Sequence, residues 1–517
     1  MKTTTAYIIT FIASFCILVI EIVAGRILAP FVGVSLYTWT SIIGVVLAGI
    51  SVGAYLGGKL ADRFPGRKTL GWLLLVSGIA TLLISPVTNI VAGYHFPATL
   101  MLRILIVTTI TFFLPSCILG MISPVVVKLA VNNLERVGNV VGKIYAVSTL
   151  GSITGTFAAG FFLISWMGTR NIILTIGGIL ILTALLWGSL FRKGARAAGL
   201  LLIPALIVIF TYDLAFRPHL TADTYYYTES DYYTLKLKKA VSRDGTTPLQ
   251  ALILDNLVHS YVNLENPLHI EYQYEKIYAD VLKWRFPKDS PLRTLTIGGG
   301  GYTFPRYLET YYPHAHIDVI EIDPVVTKIV YTYLGLPENT RIRSFNDDGR
   351  WFVMNCREKY DVIFIDAYND LSIPYHLTTR EFAMQLRDIL NPDGILLTNI
   401  IDDFQNGAFL PSYIRTLTEV FGEGNIHLIS ISPRFENMGI STFIVLAAGD
   451  SVQIRDFSSY IGSRGAQHTS SSIVPGHVIE GFMKKNYSVV LSDDYVPVDN
   501  LIAPVFEQRF GYNRKDR

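Results

Sequence analysis

Seven apolar runs, each near the length of one bilayer crossing, fill the first 214 residues of this 517-residue chain. A helix rises about 1.5 Å per residue, so roughly 20 mostly apolar residues traverse roughly 30 Å of hydrocarbon. The runs lie at 5–25, 36–58, 69–92, 99–126, 141–165, 170–191 and 198–214, the last being the weakest. The first has no small-residue cleavage site and is followed by further spans, so it reads as a retained helix rather than a removed leader. Charge divides the chain at the same place. Residues 1–214 hold 14 Lys/Arg and 4 Asp/Glu, a net of +10, whereas the other 303 hold 29 and 37, a net of −8. The overall +2 therefore says nothing by itself, and a nucleic-acid partner has no support, because the basic residues sit in short links between apolar runs. Three cysteines (Cys16, Cys117, Cys356) make neither a disulfide framework nor a metal-binding CxxC pattern, and no metal site is expected.

Small residues recur at Gly49, Gly53 and Gly57, and again at Gly151 and Gly155, which places them on single helix faces where backbones can approach closely and predicts a packed bundle. Glu21 and Arg26 end the first span; an interfacial or paired role is preferred to an ion or substrate site. Lys59, Arg63, Arg67 and Lys68, then Lys128, Arg136 and Lys143, then Arg192, Lys193 and Arg196 all fall on the side of the amino terminus, which makes that side cytoplasmic. Seven crossings would put the remainder outside. Because the chemistry below needs an intracellular metabolite, the 198–214 run, with Pro204 and Asp213, is expected to be interfacial or re-entrant, and the soluble part cytoplasmic. The Tyr225-Tyr226-Tyr227 cluster beside it reads as an interfacial aromatic belt.

From about residue 222 the periodicity changes. YTLKLK (233–238), 249–254 and 261–264 read as short strands of a small antiparallel sheet. Strands and helices then alternate: 292–298, a helix to Tyr311, 316–323, a helix to Leu334, 341–346, a short helix, 361–366, a helix over 378–390, 394–400, a helix over 410–421, then IHLISIS and STFIVLAA. Near-continuously apolar strands alternating with helices predict a doubly wound, mainly parallel α/β sheet. The expected organisation is a transmembrane helical domain at 1–214, a small antiparallel β domain at 222–270, a methyltransferase-like α/β domain at 271–505 and a tail at 506–517.

Ligands of such sheets bind outside the carboxyl ends of the strands. The first strand ends in Gly298, Gly299, Gly300 and Gly301, whose backbone N–H groups can approach a ligand. The second ends in Glu321-Ile322-Asp323, where a carboxylate can accept ribose hydroxyls; the third in Asp347-Asp348-Gly349, suited to an adenine amino group. The fourth ends in Asp366-Ala367-Tyr368-Asn369-Asp370. Each carboxylate alone reads equally as a helix cap, but four in register point to a pocket. GxGxxG is not completed, since Tyr302, Thr303, Phe304 and Pro305 follow Gly301, so a nucleoside without phosphate is favoured over a pyrophosphate.

In the order ESDYY (229–233), ILDNLVHS (253–260), EYQYEK (271–276), IGGGG, VIEIDP (319–324), DDGRWF (347–352), VIFIDAY (362–368) and SDDYVPVD (492–499), the chain resembles the spermidine synthase family of aminopropyltransferases. That family has the class I methyltransferase fold behind a small β domain, and the multi-span region looks like its bacterial membrane-fused branch. The link 57–68 (GGKLADRFPGRK) resembles that between the second and third helices of major facilitator transporters, so the spans look like half of one. The resemblance implies decarboxylated S-adenosylmethionine, or S-adenosylmethionine, as co-substrate on the glycine loop, Glu321 and Asp348. Asp366 and Tyr368 would face a polyamine-like amine acceptor, with Tyr274 closing from the β domain. No prosthetic group is implied, and a homodimer is left open.

The departures are specific. Gly301 stands where soluble members carry an aspartate for the donor's amine; Tyr233, His259 and Glu275 stand at three glutamine positions. The family's second carboxylate is either Asp370, displaced by one, or absent as Asn369. Donor identity is thereby open. His259 reads as a structural histidine or a base. Two rival readings stand beside aminopropyl transfer: methyl transfer from the same pocket, and a non-catalytic nucleoside or polyamine sensor or transport partner.

Overall fold

A computed structural model describes the chain except 34, 93, 95–98, 132–136, 190–220, 256, 369–372, 433–438, 450–456, 458–459, 461–471 and 511–517. The expected 198–214 run, Asn369 and Asp370 lie outside the described residues. The chain groups into two compact units, one of Met1–Thr221 with Glu229–Tyr233, the other of Ala222–Thr228 with Thr234–Arg517.

Among the described residues of the first unit, four helices are long and apolar enough to cross a membrane: Thr3–Val32, Leu36–Arg63, Met101–Ala130 and Val137–Trp187. A fifth crossing is available if Arg67–Leu82 and Ile84–Ala92, bent by 43° at their junction, form one span. The expected spans 141–165 and 170–191 fall together in the 51-residue Val137–Trp187, where Gly168, at φ 70°, breaks the helical path. Only glycine takes that conformation without strain. Next to the break, the Glu229 carboxylate accepts from Thr169 N at 2.9 Å and from Thr169 Oγ1, an acidic cap on a helix start. Arg26 donates to the carbonyls of Ser230 (2.7 Å) and Asp231 (3.2 Å), so backbone oxygens satisfy it.

The glycine faces bring backbones together as anticipated. A Cβ on Gly57 would lie 2.6 Å from Met121 Cα, and one on Gly155 would lie 2.5 Å from Phe15 O. Close contact of this kind is how helices associate where lipid is as apolar as leucine.

The second unit holds two sheets. The smaller is antiparallel in the order β1-β2-β3-β4: β1 (Thr224–Glu229), β2 (Thr234–Val241), β3 (Pro248–Leu254) and β4 (Leu257–Val262). The three tyrosines read as a membrane belt are thus part of strand β1, with the Tyr226 ring 4.5 Å from that of Tyr333. TYYYTE lacks polar/apolar alternation, which hid the strand from a period-2 reading.

The larger sheet has eight strands: β5 (Arg293–Ile297), β6 (His316–Ile320), β7 (Ile342–Phe345), β8 (Tyr360–Ile365), β9 (Leu390–Asp403), β10 (Ile426–Ser430), β11 (Ile440–Ala448) and β12 (Ser472–Ile473). Their order is β12-β10-β11-β9-β8-β5-β6-β7, parallel from β9 to β7 and antiparallel from β9 to β12. Helices between the parallel strands cover the sheet, and Leu295, Ile363, Ile365, Leu396 and Phe443 lie in its core. This is the doubly wound methyltransferase-like fold that the strand pattern predicted. The order reverses at β5, which lies between β6 and β8, so the carboxyl ends of these three are where sheets of this kind take their ligands.

Candidate active site at the switch point

Asp366 directly follows β8, and its backbone N–H continues the parallel ladder to Ile297 O at 2.9 Å. Gly298, at φ 97°, has no room for a side chain, because a Cβ there would sit 2.8 Å from Ala367 Cα. Glycine thus lets the end of β5 pass against the end of β8. The Asp366 carboxylate accepts from Tyr274 Oη at 2.8 Å on Oδ2 and from Asn399 Nδ2 at 2.9 Å on Oδ1. Burial pushes its pKa up to about 6, while those two donors restrain the rise. At neutral pH it remains mostly ionised, yet close enough to its pKa to take a proton. Tyr274 and Glu275 project from the first turn of the helix Gln273–Arg285, which follows the small sheet. The Tyr368 hydroxyl donates to Asn399 O at 2.5 Å, so it braces β9 against the Asp366 loop rather than offering a free proton.

The glycine loop corrects an expectation. Its amides do not point at an open ligand site: Gly298 N donates to Ile320 O, Gly299 N and Gly300 N donate to Glu321 Oε2 (2.9 and 3.2 Å), and Gly301 N donates to Ser260 Oγ (2.7 Å). These four amides are therefore engaged by the protein's own oxygens. Glu321 Oε1 accepts from Asp323 N at 3.0 Å. A carboxylate has about four acceptor positions, so little more than one is left for a ribose hydroxyl. Burial raises the Glu321 pKa and the three backbone donors oppose it.

Other carboxylates serve as caps. Asp323 is buried and accepts from Val325 N at 2.9 Å, capping the helix Pro324–Tyr333. Asp347 accepts from Asp348 N. Asp348 Oδ1 caps the helix Gly349–Asn355 through Arg350 N and Trp351 N, both at 2.9 Å, while Oδ2 lies 2.9 Å from His376 Nε2. An adenine amino group would share that oxygen with His376. Gly349 packs at the end of β5, where a Cβ would meet Ile297 Cγ2 at 2.6 Å.

His259 lies on β4, and burial of its ring lowers the pKa to about 4, which keeps it neutral at physiological pH. Tyr233 groups with the helical unit, where its carbonyl accepts from Ser230 N. The structure thus gathers Asp366, Tyr274, Tyr368, Glu321 and the glycine loop at the switch point, and sets Asp323 and Asp347 to local backbone work. Asn399, Ser260 and His376 were missed; a polar residue near the carboxyl end of the apolar run GILLTNI was the one signal for Asn399. Among the described residues, no three His, Cys, Asp or Glu side chains converge as a metal site.

A small antiparallel sheet thus precedes a doubly wound sheet that carries a carboxylate at its switch point. Within this part of the chain, residues 280–446 match the spermine/spermidine synthase domain. It is 30% identical over 231 residues to a probable polyamine aminopropyl transferase of Bifidobacterium longum, covering 43% of this chain and 51% of that one. It is 22% identical over 459 residues to polyamine aminopropyltransferase 1 of Streptomyces coelicolor, covering 83% and 81%. A crystal structure of a probable spermidine synthase from Corynebacterium glutamicum aligns with 19% identity and a TM-score of 0.43, over 52% of this chain and 96% of that one. The chain spans only about half the length of the first of these relatives.

Proposed function

We propose that this protein is a membrane-held aminopropyltransferase that moves the aminopropyl group of decarboxylated S-adenosylmethionine to a polyamine-like amine. The observation that carries the reading is Asp366, held between Tyr274 and Asn399 at the strand-order reversal of a spermine/spermidine synthase domain. In the reaction, the amine nitrogen attacks the carbon bonded to the sulfonium. The C–S electron pair passes to sulfur, methylthioadenosine leaves as a neutral thioether, and one N–H proton goes to Asp366 or to water. No acid is needed at the leaving group; what is needed is an aligned, unprotonated amine. A free amine has a pKa of about 10, so a carboxylate that holds the ammonium and takes its proton supplies the nucleophile. The long apolar helices support a bilayer location, and in this reading the catalytic unit faces the cytoplasm, where the donor would be made. Incubating the detergent-purified chain with each labelled sulfonium and a panel of amines tests this. Methylthioadenosine is the expected product; S-adenosylhomocysteine would replace the reading with methyl transfer.

A further inference from the structure

We propose that the helical unit carries a site for an anionic glycerophospholipid, its phosphate held by Arg63 and Lys68 and an acyl chain lying in the groove beside them. The inference goes beyond the transferase reading and rests on the bilayer location that the apolar helices support. A groove of about 340 Å³ runs between the helices Leu36–Arg63 and Arg67–Leu82. On the second helix, Thr69, Trp72, Leu73 and Val76 recur at i, i+3, i+4 and i+7, which puts them on one face. Leu60 and Phe64 line the other wall. Thr69 Oγ1 donates to Phe64 O at 2.8 Å, so this hydroxyl is spent on the chain itself and the lining is otherwise apolar apart from Lys68. Phe64 and Trp72 are 53% and 54% exposed, so no protein group covers these rings. From Lys68 to Val76 the helix rises about 12 Å, most of a leaflet of roughly 15 Å.

Charge selects the occupant. Lys68 lines the groove at the end where the two helices join, and the Arg63 guanidinium lies over the Phe64 ring, 5.5 Å from its centroid. Arg67 precedes Lys68 in the same link, and Asp62, the acid of that link, is held by Lys128 at 2.7 Å. Among the described residues, no carboxylate pairs with Arg63, Arg67 or Lys68. Three cations without a counter-charge thus stand at one end of an apolar channel. A hydrocarbon chain alone would account for the channel but not for the cations, and a free phosphate for the cations but not for the channel. A lipid with a net negative head answers both, because basic residues at a helix end attract anionic headgroups while their stems and the aromatic rings lie along the acyl region. A zwitterionic head brings its own ammonium, which offsets the attraction.

The test is native mass spectrometry of the detergent-purified full chain with dioleoyl phosphatidylglycerol, and with dioleoyl phosphatidylcholine as the zwitterionic control. The unaltered chain should retain the anionic lipid about fivefold or more over the zwitterionic one. The water-soluble headgroup glycerophosphoglycerol, at the same concentration, should fail to displace it. Arg63→Gln with Lys68→Gln should bring the preference under about twofold. Val76→Trp, which fills the groove from an exposed position and keeps every charge, should lower retention of the anionic lipid about fivefold. Equal retention of the two lipids by the unaltered chain overturns the proposal, and so does a preference that survives the charge variant. Loss in the charge variant with none in Val76→Trp would reduce the effect to the general field of the basic link, and displacement by the headgroup would leave a phosphate site only; either result overturns the lipid site. The lipid and headgroup arms use the unaltered chain, so the proposal can fail even where a variant does not fold.

Discussion

At the scale of single residues, the site turns on how Asp366 is held. Asp366→Asn keeps the shape and the Asn399 contact but cannot take a proton. Turnover should fall about 10²–10⁴-fold, the usual worth of a positioned base, while methylthioadenosine affinity stays within about twofold. Release of labelled product and calorimetry check the two halves. The same residue sets a pH dependence. Its pKa is raised to about 6, so the active carboxylate form is lost as pH falls through that value, and kcat/KM should drop on the acid side near pH 6. The Tyr274 hydroxyl bond lowers this pKa, so Tyr274→Phe should move the acid limb to higher pH; a limb that stays put or moves down would count against Asp366 as the titrating group. Asp366 and Tyr274 were legible because they sit in ordered motifs at the end of a strand and the start of a helix. Asn399 was not, since it lies inside the mostly apolar run 394–400, which is buried throughout and looks like core, and only coordinates reveal that its amide faces a carboxylate.

Among elements, the glycine loop shows best where sequence reading stops. That β5 ends in side-chain-free residues was plain; that Glu321 and Ser260 occupy their amides depends on which element folds over the loop. β4 brings Ser260 there, so Gly301 is set by packing as much as by ligand. Gly301→Asp, which would restore the family's residue, should therefore fail to improve donor binding. Forcing a side chain against Ser260 Cβ should instead cost about 1–3 kcal/mol of stability, the usual penalty of overpacking, visible as a lowered thermal midpoint. Tighter donor binding at unchanged midpoint would show that the loop yields. β6 and β7 provide a comparison. Buried Asp318 meets Arg343 in register, with both guanidinium contacts at 2.6 Å, and accepts from Tyr360 Oη at 2.9 Å. Arg343→Met would leave a buried carboxylate with one donor, and equilibrium unfolding of this unit should lose roughly 1–3 kcal/mol.

For the molecule as a whole, the division of charge and hydropathy near residue 214 foretold two kinds of structure, and the chain has two compact units. Apolar runs also marked the long helices. The merging of two expected spans across Gly168 was hidden because hydropathy records length and composition, not the angle at which a helix resumes. Each unit owns the contacts that hold it: glycine-to-backbone approaches in one, a sheet core in the other. Damage to the first should therefore leave ligand binding by the second measurable. In Gly151→Val with Gly155→Val, each new Cβ would lie 2.5 Å from a backbone oxygen, of Phe11 and of Phe15, so the helices Thr3–Val32 and Val137–Trp187 would have to separate. The detergent-purified double variant should lose helical-unit stability, seen as earlier proteolysis and a lowered first unfolding transition. Methylthioadenosine should still raise the transition of the α/β unit by mass action, as in the unaltered chain. A double variant in which both transitions fall together, with binding lost, would mean that the two units stand or fall as one cooperative body.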